Sequence, residues 1–263
     1  EGDDVPFIVA GNAMGIPTLA IDSNIDAATY RYFGAPWQVT HWALFSEVQK
    51  QEFQELHGIP EKHMTAVGAL RYDLYFQNFK ARSRREFLET LGLDFSKKVI
   101  TLGAKTPVVF PHNEDVIEMI QGGILSGRFG DAELFVRFDP GHDMSRYPQE
   151  FLQTFKWERA EDAPEAEHIA NLLAHSVAYL GLGASTLSIE ACAVGTPSVW
   201  IGFDGNAKYE DSNDSCRVQY DLPVFRRIIK TGGIPLVESR EELLSTVQRY
   251  IEHPEYGRAD RER

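Results

Sequence analysis

Cysteine is scarce in this chain, basic charge is short, and long hydrophobic runs are missing. Cys192 and Cys216 are the only cysteines among 263 residues. With no C-x-x-C spacing they indicate neither a disulfide framework nor a zinc site, and a reducing cytosol suits them. The 26 basic residues face 39 acidic ones, a formal net charge of −13. Such a field gives no reason to hold a nucleic-acid backbone, so nucleic acid is excluded as a partner. No window approaches about 18 consecutive apolar residues, and the start Glu1-Gly-Asp-Asp is acidic rather than signal-like. A soluble, cytoplasmic protein is expected, with peripheral contact at a membrane left open. Metal-ligand patterns are missing too. Glu167-His168 has no second histidine at the H-E-x-x-H spacing, and Asp211-Ser-Asn213-Asp-Ser215-Cys216 lacks the glycine of an EF-hand loop. No G-x-S-x-G elbow occurs.

What is present is ordinary globular material, 43% hydrophobic and 25% charged, enough for one large or two small domains with a proper core. Residues 5–13 read as a helix or strand remnant, and 18–21, 42–46 and 64–67 as strands. Between the last two, a helix over 48–57 is stopped by Gly58 and Pro60. Residues 69–73 and the basic stretch 80–85 form a connecting segment, and the domain boundary is expected there. Beyond it, helical and strand patterns alternate: Phe87, Leu88 and Leu91 on a helix, a strand over 98–102, a helix from Asn113, a strand over 133–138 and a helix over 163–175. Alternation of this kind implies a parallel sheet wound with crossovers. Ser239-Arg-Glu-Glu242 is a capping box that starts a last helix. The four tryptophans are read as core or rim packing.

The most informative stretch is 177–201, which reads strand, tight turn, helix, strand. Glycines at 181 and 183 let backbone N–H groups approach a ligand, and Ser185 or Thr186 opens the helix with unpaired donors and a positive dipole end. A phosphate belongs there. Thr186 and Glu190, four apart, share a helix face, where a hydroxyl could meet phosphate and a carboxylate could accept from ribose hydroxyls. A purely structural turn with a solvated Glu190 is the competing reading. Ligands of open α/β sheets sit outside the carboxyl ends of the strands. On or beside those ends fall Lys105, Thr106, Arg137, Asp139, His142, Gly183, Ser185, Thr186, Glu190 and Asp204. All but His142 form the expected donor-nucleotide site. No catalytic residue, metal or cofactor is named.

A wider pattern joins Gly15-Ile-Pro-Thr18, Ser46-Glu-Val-Gln49 with His57-Gly-Ile-Pro60, Val67-Gly-Ala-Leu-Arg-Tyr-Asp73, Gly183-Ala-Ser-Thr-Leu-Ser-Ile-Glu-Ala191 and Gly195-Thr-Pro197. In this order and spacing the chain resembles the back half of a GT-B glycosyltransferase, nearest to the CDP-glycerol glycerophosphotransferase and capsular-polysaccharide transferase group. That likeness implies an α/β fold of two doubly wound, Rossmann-like parallel sheets. Residues 1–80 would be a truncated N-terminal, acceptor-side domain and 81–263 the C-terminal domain that binds the donor. It implies a metal-independent transferase of polysaccharide biosynthesis. Its donor would be a nucleotide-activated sugar or CDP-polyol, and its acceptor a glycan, lipid-linked or polymer. Ser185 and Thr186 would hold the diphosphate and Glu190 the ribose. Arg137-Phe-Asp-Pro140 stands where the group carries a Lys-Pro-His-Pro-like run, so no catalytic role passes to His142.

Three alternatives stay open. A sugar-nucleotide 2-epimerase shares the two-domain architecture. An NAD-dependent oxidoreductase would use Gly181-Leu-Gly183 after a strand with Asp204 downstream, although Thr186 replaces the third glycine. The third is a nucleotide-binding module without turnover.

Overall fold

The structure is a computed structural model describing residues 5–22, 25, 39–77 and 79–262. Residues 1–4 and Trp37 lie outside the described residues. The chain divides into two compact units, 1–73 and 74–263. The basic stretch read as a connector thus belongs to the second unit. There the Arg84 guanidinium donates to the carbonyls of Phe95 (3.1 Å) and Lys97 (2.6 Å) and to that of His175 (2.5 Å).

Among its described residues the first unit carries three parallel strands, β1 (Leu19–Ile21), β2 (His41–Leu44) and β3 (Met64–Ala66), in the order β1-β2-β3. The ambiguous stretch Val5–Ala13 is a helix. Glu47–His57 is also helical, because Ser46 caps its start by accepting from Gln49 N (3.2 Å) and Gly58 ends it at φ 66°. Its buried Phe53 joins Val39, Trp42, Leu44, Ile59 and Met64 in a small core.

The second unit holds six strands: β4 (Lys98–Ala104), β5 (Ala132–Phe138), β6 (Lys156–Arg159), β7 (Ser176–Leu182), β8 (Ser198–Ile201) and β9 (Leu236–Val237). All pair in parallel, in the order β6-β5-β4-β7-β8-β9. Alternation along the strands sends Ile100, Leu102, Val136, Leu180 and Ile201 to one face. There they pack against Val116, Ile117 and Ile120 of the helix Asn113–Leu125 and against Leu243 and Val247 of the helix Arg240–Glu252. Val99, Phe135 and Tyr179 serve the other face, against Phe87, Leu88, Leu172 and Ala191. Both faces are covered, as a parallel sheet requires.

β6 and β9 escaped the sequence reading. β6 reads Lys-Trp-Glu-Arg and lies at the sheet edge with Trp157 37% exposed, while β9 has two residues. Neither is long enough to show an alternation. The capping box closes with a shift. Ser239 Oγ accepts from Glu242 N (3.3 Å), but the Glu242 carboxylate takes Glu238 N (2.8 Å) rather than the N–H of Ser239.

Topology decides where a ligand can enter. From β4 the chain winds outward through β5 to β6, and from β7 it winds the opposite way through β8 to β9. The winding reverses between β4 and β7, and a crevice opens outside the carboxyl ends of such a pair.

Candidate functional site

β7 ends at Leu182, and Gly183 turns the chain at φ +77° into the helix Leu187–Ala193. A side chain there would be strained, and its Cβ would come within 2.9 Å of Gln219 Oε1. That amide oxygen accepts from Ala184 N (2.8 Å), and Gln219 Nε2 donates to Cys216 O (2.7 Å). One N–H expected to await an anion is therefore filled by a side chain 35 residues further on. Ser185 is 3% exposed; its Oγ lies 3.2 Å from Tyr179 OH and its carbonyl accepts from Trp200 Nε1 (3.4 Å). Tyr179 reaches this place because β4 offers Gly103, where any Cβ would collide with the phenol oxygen. Burial raises the Tyr179 pKa well above its ordinary value, so the hydroxyl stays protonated as the floor of the turn. Thr186, half-buried at the N-cap position, makes no capping bond with its side chain.

Glu190 follows one turn later, its N–H donating to Thr186 O (3.2 Å). It is 4% exposed, and its Oε2 accepts a short hydrogen bond from Tyr75 OH. The reading of Glu190 as a solvated helix position is overturned: a carboxylate kept out of water must be hydrogen-bonded, and Tyr75 supplies a partner. Tyr75 and Gln219 were missed because each sits far along the chain from the group it serves.

Across the crevice, Lys105 follows β4. Its Nζ is 3.2 Å from Asp139 Oδ2, just past the end of β5. The loop between β4 and its helix is closed by buried Asn113, which accepts from Lys105 N (2.9 Å) and donates to Lys105 O (2.9 Å) and Phe110 O (2.6 Å). Thr106 lies in that loop, its carbonyl accepting from Val109 N and Phe110 N. The Arg137 guanidinium, 4% exposed, is held by Glu158 and by the carbonyls of Ala163 (2.8 Å) and Ala160 (3.4 Å). Glu158 also takes His168 Nε2 (2.9 Å). Arg137 is therefore occupied in fastening β5 to β6 and to the loop beyond. Asp204 spends both carboxylate oxygens on its own loop, accepting from Ser215 Oγ (2.6 Å) and Cys216 N (2.7 Å).

The nine expected positions thus lie along one end of one sheet but form three separate groups: the turn with Gly183, Ser185, Thr186 and Glu190; the Lys105–Asp139 pair with Thr106; and Arg137 and Asp204, each engaged in scaffolding. Among the described residues no cluster of three histidine, cysteine or acidic side chains could hold a metal.

The fold has solved counterparts. The UDP-GlcNAc 2-epimerase of Methanocaldococcus jannaschii superposes with a TM-score of 0.61 at 14% identity, covering 97% of this chain and 71% of its own. The wall teichoic acid polymerase TagF gives 0.59 at 11%, over 86% of this chain and 52% of its own. WaaG, a glycosyltransferase involved in lipopolysaccharide biosynthesis, gives 0.50 at 13%, over 93% and 68%. The fold is GT-B-like. At these identities the likeness concerns the fold, and this GT-B-like chain spans between about half and 71% of each neighbour's length. No family model and no curated protein sequence matches it. Among the described residues no helix is long and apolar enough to cross a membrane.

Proposed function

We propose that the second unit binds a nucleotide-activated sugar or polyol at the β4/β7 crevice and that the protein transfers the activated group to an acceptor hydroxyl of a glycan or polymer. The observation that carries this reading is the buried Glu190 carboxylate, held by Tyr75 one turn beyond a glycine turn at the switch point. A carboxylate so placed accepts ribose hydroxyls, while the remaining N–H groups of the turn and the hydroxyl of Thr186 meet the diphosphate. Lys105, already poised between the two strand ends, is the cation for the leaving diphosphate, with Asp139 as its resting partner. Arg137 enters the proposal as scaffold and not as ligand. The Asp204 side chain holds the loop that carries Gln219 to the turn.

A second reading, sugar-nucleotide 2-epimerisation, is favoured by the fit to the epimerase of M. jannaschii, a solved structure of which contains UDP-GlcNAc and UDP. Calorimetric titration with UDP, CDP, GDP and their sugar or polyol conjugates tests the site: a nucleoside diphosphate that binds the parent should bind Glu190→Gln roughly ten- to a hundredfold more weakly, the worth of a charge-assisted hydrogen bond. Absence of binding at millimolar concentration removes the reading. Incubation with UDP-GlcNAc and no acceptor separates the two activities. An epimerised sugar nucleotide favours the second, and release of UDP only when an acceptor is added favours the first.

A further inference from the structure

Above the end of β5 lies a polar cluster that the nucleotide reading does not use. The chain turns through Asp139-Pro-Gly-His142, with His142 N donating to Asp139 O (3.2 Å) and Gly141 at φ +74°, the residue choice of a type II turn. The turn lays the His142 ring on Phe138 (4.8 Å between centroids) and stacks it on Tyr147 (5.6 Å, 15°). His142 is 4% exposed. Its Nε2 lies 2.9 Å from Tyr147 OH, and its Nδ1 is buried without a partner. Arg146 sits over the Tyr147 ring (5.7 Å) and its Nη2 is 3.8 Å from Oε1 of Glu114, in the first turn of the helix Asn113–Leu125. Glu114 Oε2 is the second buried atom here without a partner.

Two orphaned polar atoms in one connected cluster call for a partner, since native proteins leave few such groups unsatisfied. The chemistry of the surroundings narrows what that partner is. An anion would meet the carboxylates of Glu114, Asp139 and Asp143, all of which bear on His142. A cation would meet Arg146. Burial, the leading cause, holds the imidazole pKa below its ordinary value, so His142 is neutral, with one ring nitrogen a donor and the other an acceptor. A pair of neighbouring hydroxyls satisfies both atoms in either tautomer, one donating to Glu114 and the other donating to or accepting from Nδ1. The Glu114 side chain is 40% exposed and that of Arg146 31%, so the cluster reaches solvent at this end.

We propose that Glu114 and His142 bind a neutral polyhydroxylated group, the sugar ring or polyol chain of the activated donor. This rests on the reading that the crevice takes a nucleotide-activated donor. The test compares each conjugate with its bare nucleotide, UDP-GlcNAc against UDP and CDP-glycerol against CDP, in the parent, Glu114→Gln and His142→Phe proteins. The phenylalanine keeps the stacking on Phe138 and Tyr147 while removing Nδ1. The advantage of at least one conjugate over its nucleotide should fall roughly tenfold in each variant, with bare nucleotide affinity unchanged. Equal changes for conjugate and bare nucleotide, or none, overturn the proposal. A second readout needs no variant: the imidazole 15N signals of His142 should shift on titration with the conjugate and not with its bare nucleotide. If the parent binds no nucleotide, the donor reading has failed instead. Free glycerol and N-acetylglucosamine then decide the site alone, and an unmoved His142 signal overturns it.

Discussion

In the first unit, β1 leaves Leu19 62% and Ile21 56% exposed; in the second, every residue of β4 after Lys98 is buried. The two strands are similarly apolar, Leu-Ala-Ile against Val-Ile-Thr-Leu-Gly-Ala. The difference comes from position. Among the described residues β1 is an edge in a three-stranded sheet, whereas β4 has a strand on each side and helices over both faces. Apolar residues mark what a strand is able to bury; neighbours decide whether it does. Polar groups are kept from water in both units: in the first, Gln49 Nε2 donates to the buried Asp22 carboxylate (2.5 Å), and in the second Arg137, Glu190 and Ser185 are buried with partners held against them by a two-sided core.

The sharpest way to break this contrast is at the buried ion pair. Glu158→Ala leaves the Arg137 guanidinium uncompensated with 5% of its side chain exposed, and should cost about 3–5 kcal/mol in denaturant unfolding. A loss below about 1 kcal/mol would mean that water reaches Arg137 freely and that the second sheet is less closed than described. Next comes Gly183→Ala. Its left-handed backbone and the nearby Gln219 amide should make the substitution cost about 1–3 kcal/mol, with weakened nucleotide binding. An alanine protein with unchanged stability and affinity would show that the turn is not held in this shape.

Gln219→Ala removes the acceptor of Ala184 N and should cost about 1 kcal/mol. Gln219→Met, which keeps the bulk but makes a hydrogen bond neither to Ala184 N nor to Cys216 O, should lose as much. Unchanged stability in the methionine protein would assign the effect to packing rather than to the hydrogen bonds. The smallest effect is expected in the first unit. Leu19→Thr, at an exposed position on an edge strand, should stay within about 0.5 kcal/mol by thermal unfolding. A larger loss would show that β1 is covered in solution, and so erase the difference between the sheets.

The sequence by itself determined the longer elements of the second unit, though not β6, β9 or the helix Pro223–Thr231, because helices and strands that face a core repeat at 3.6 and 2 residues and are closed by glycine, proline and capping side chains. Asn113–Leu125, Ala132–Phe138 and Arg240–Glu252 were legible in this way. It also singled out Gly183, Thr186 and Glu190, since a glycine turn and an i, i+4 pair are local features. Only the tertiary structure decided what lies around them. The strand order that puts the crevice between β4 and β7 depends on the direction in which each crossover winds, which no local pattern records. Tyr75 meets Glu190 across 115 positions, Gln219 meets Ala184 across 35, and Glu158 engages Arg137 across 21. A charged residue at a strand end looks the same in sequence whether it awaits a ligand or is already bound to its own chain. The difference lies in long-range partners, and those exist only once the sheet has brought distant residues within hydrogen-bond reach.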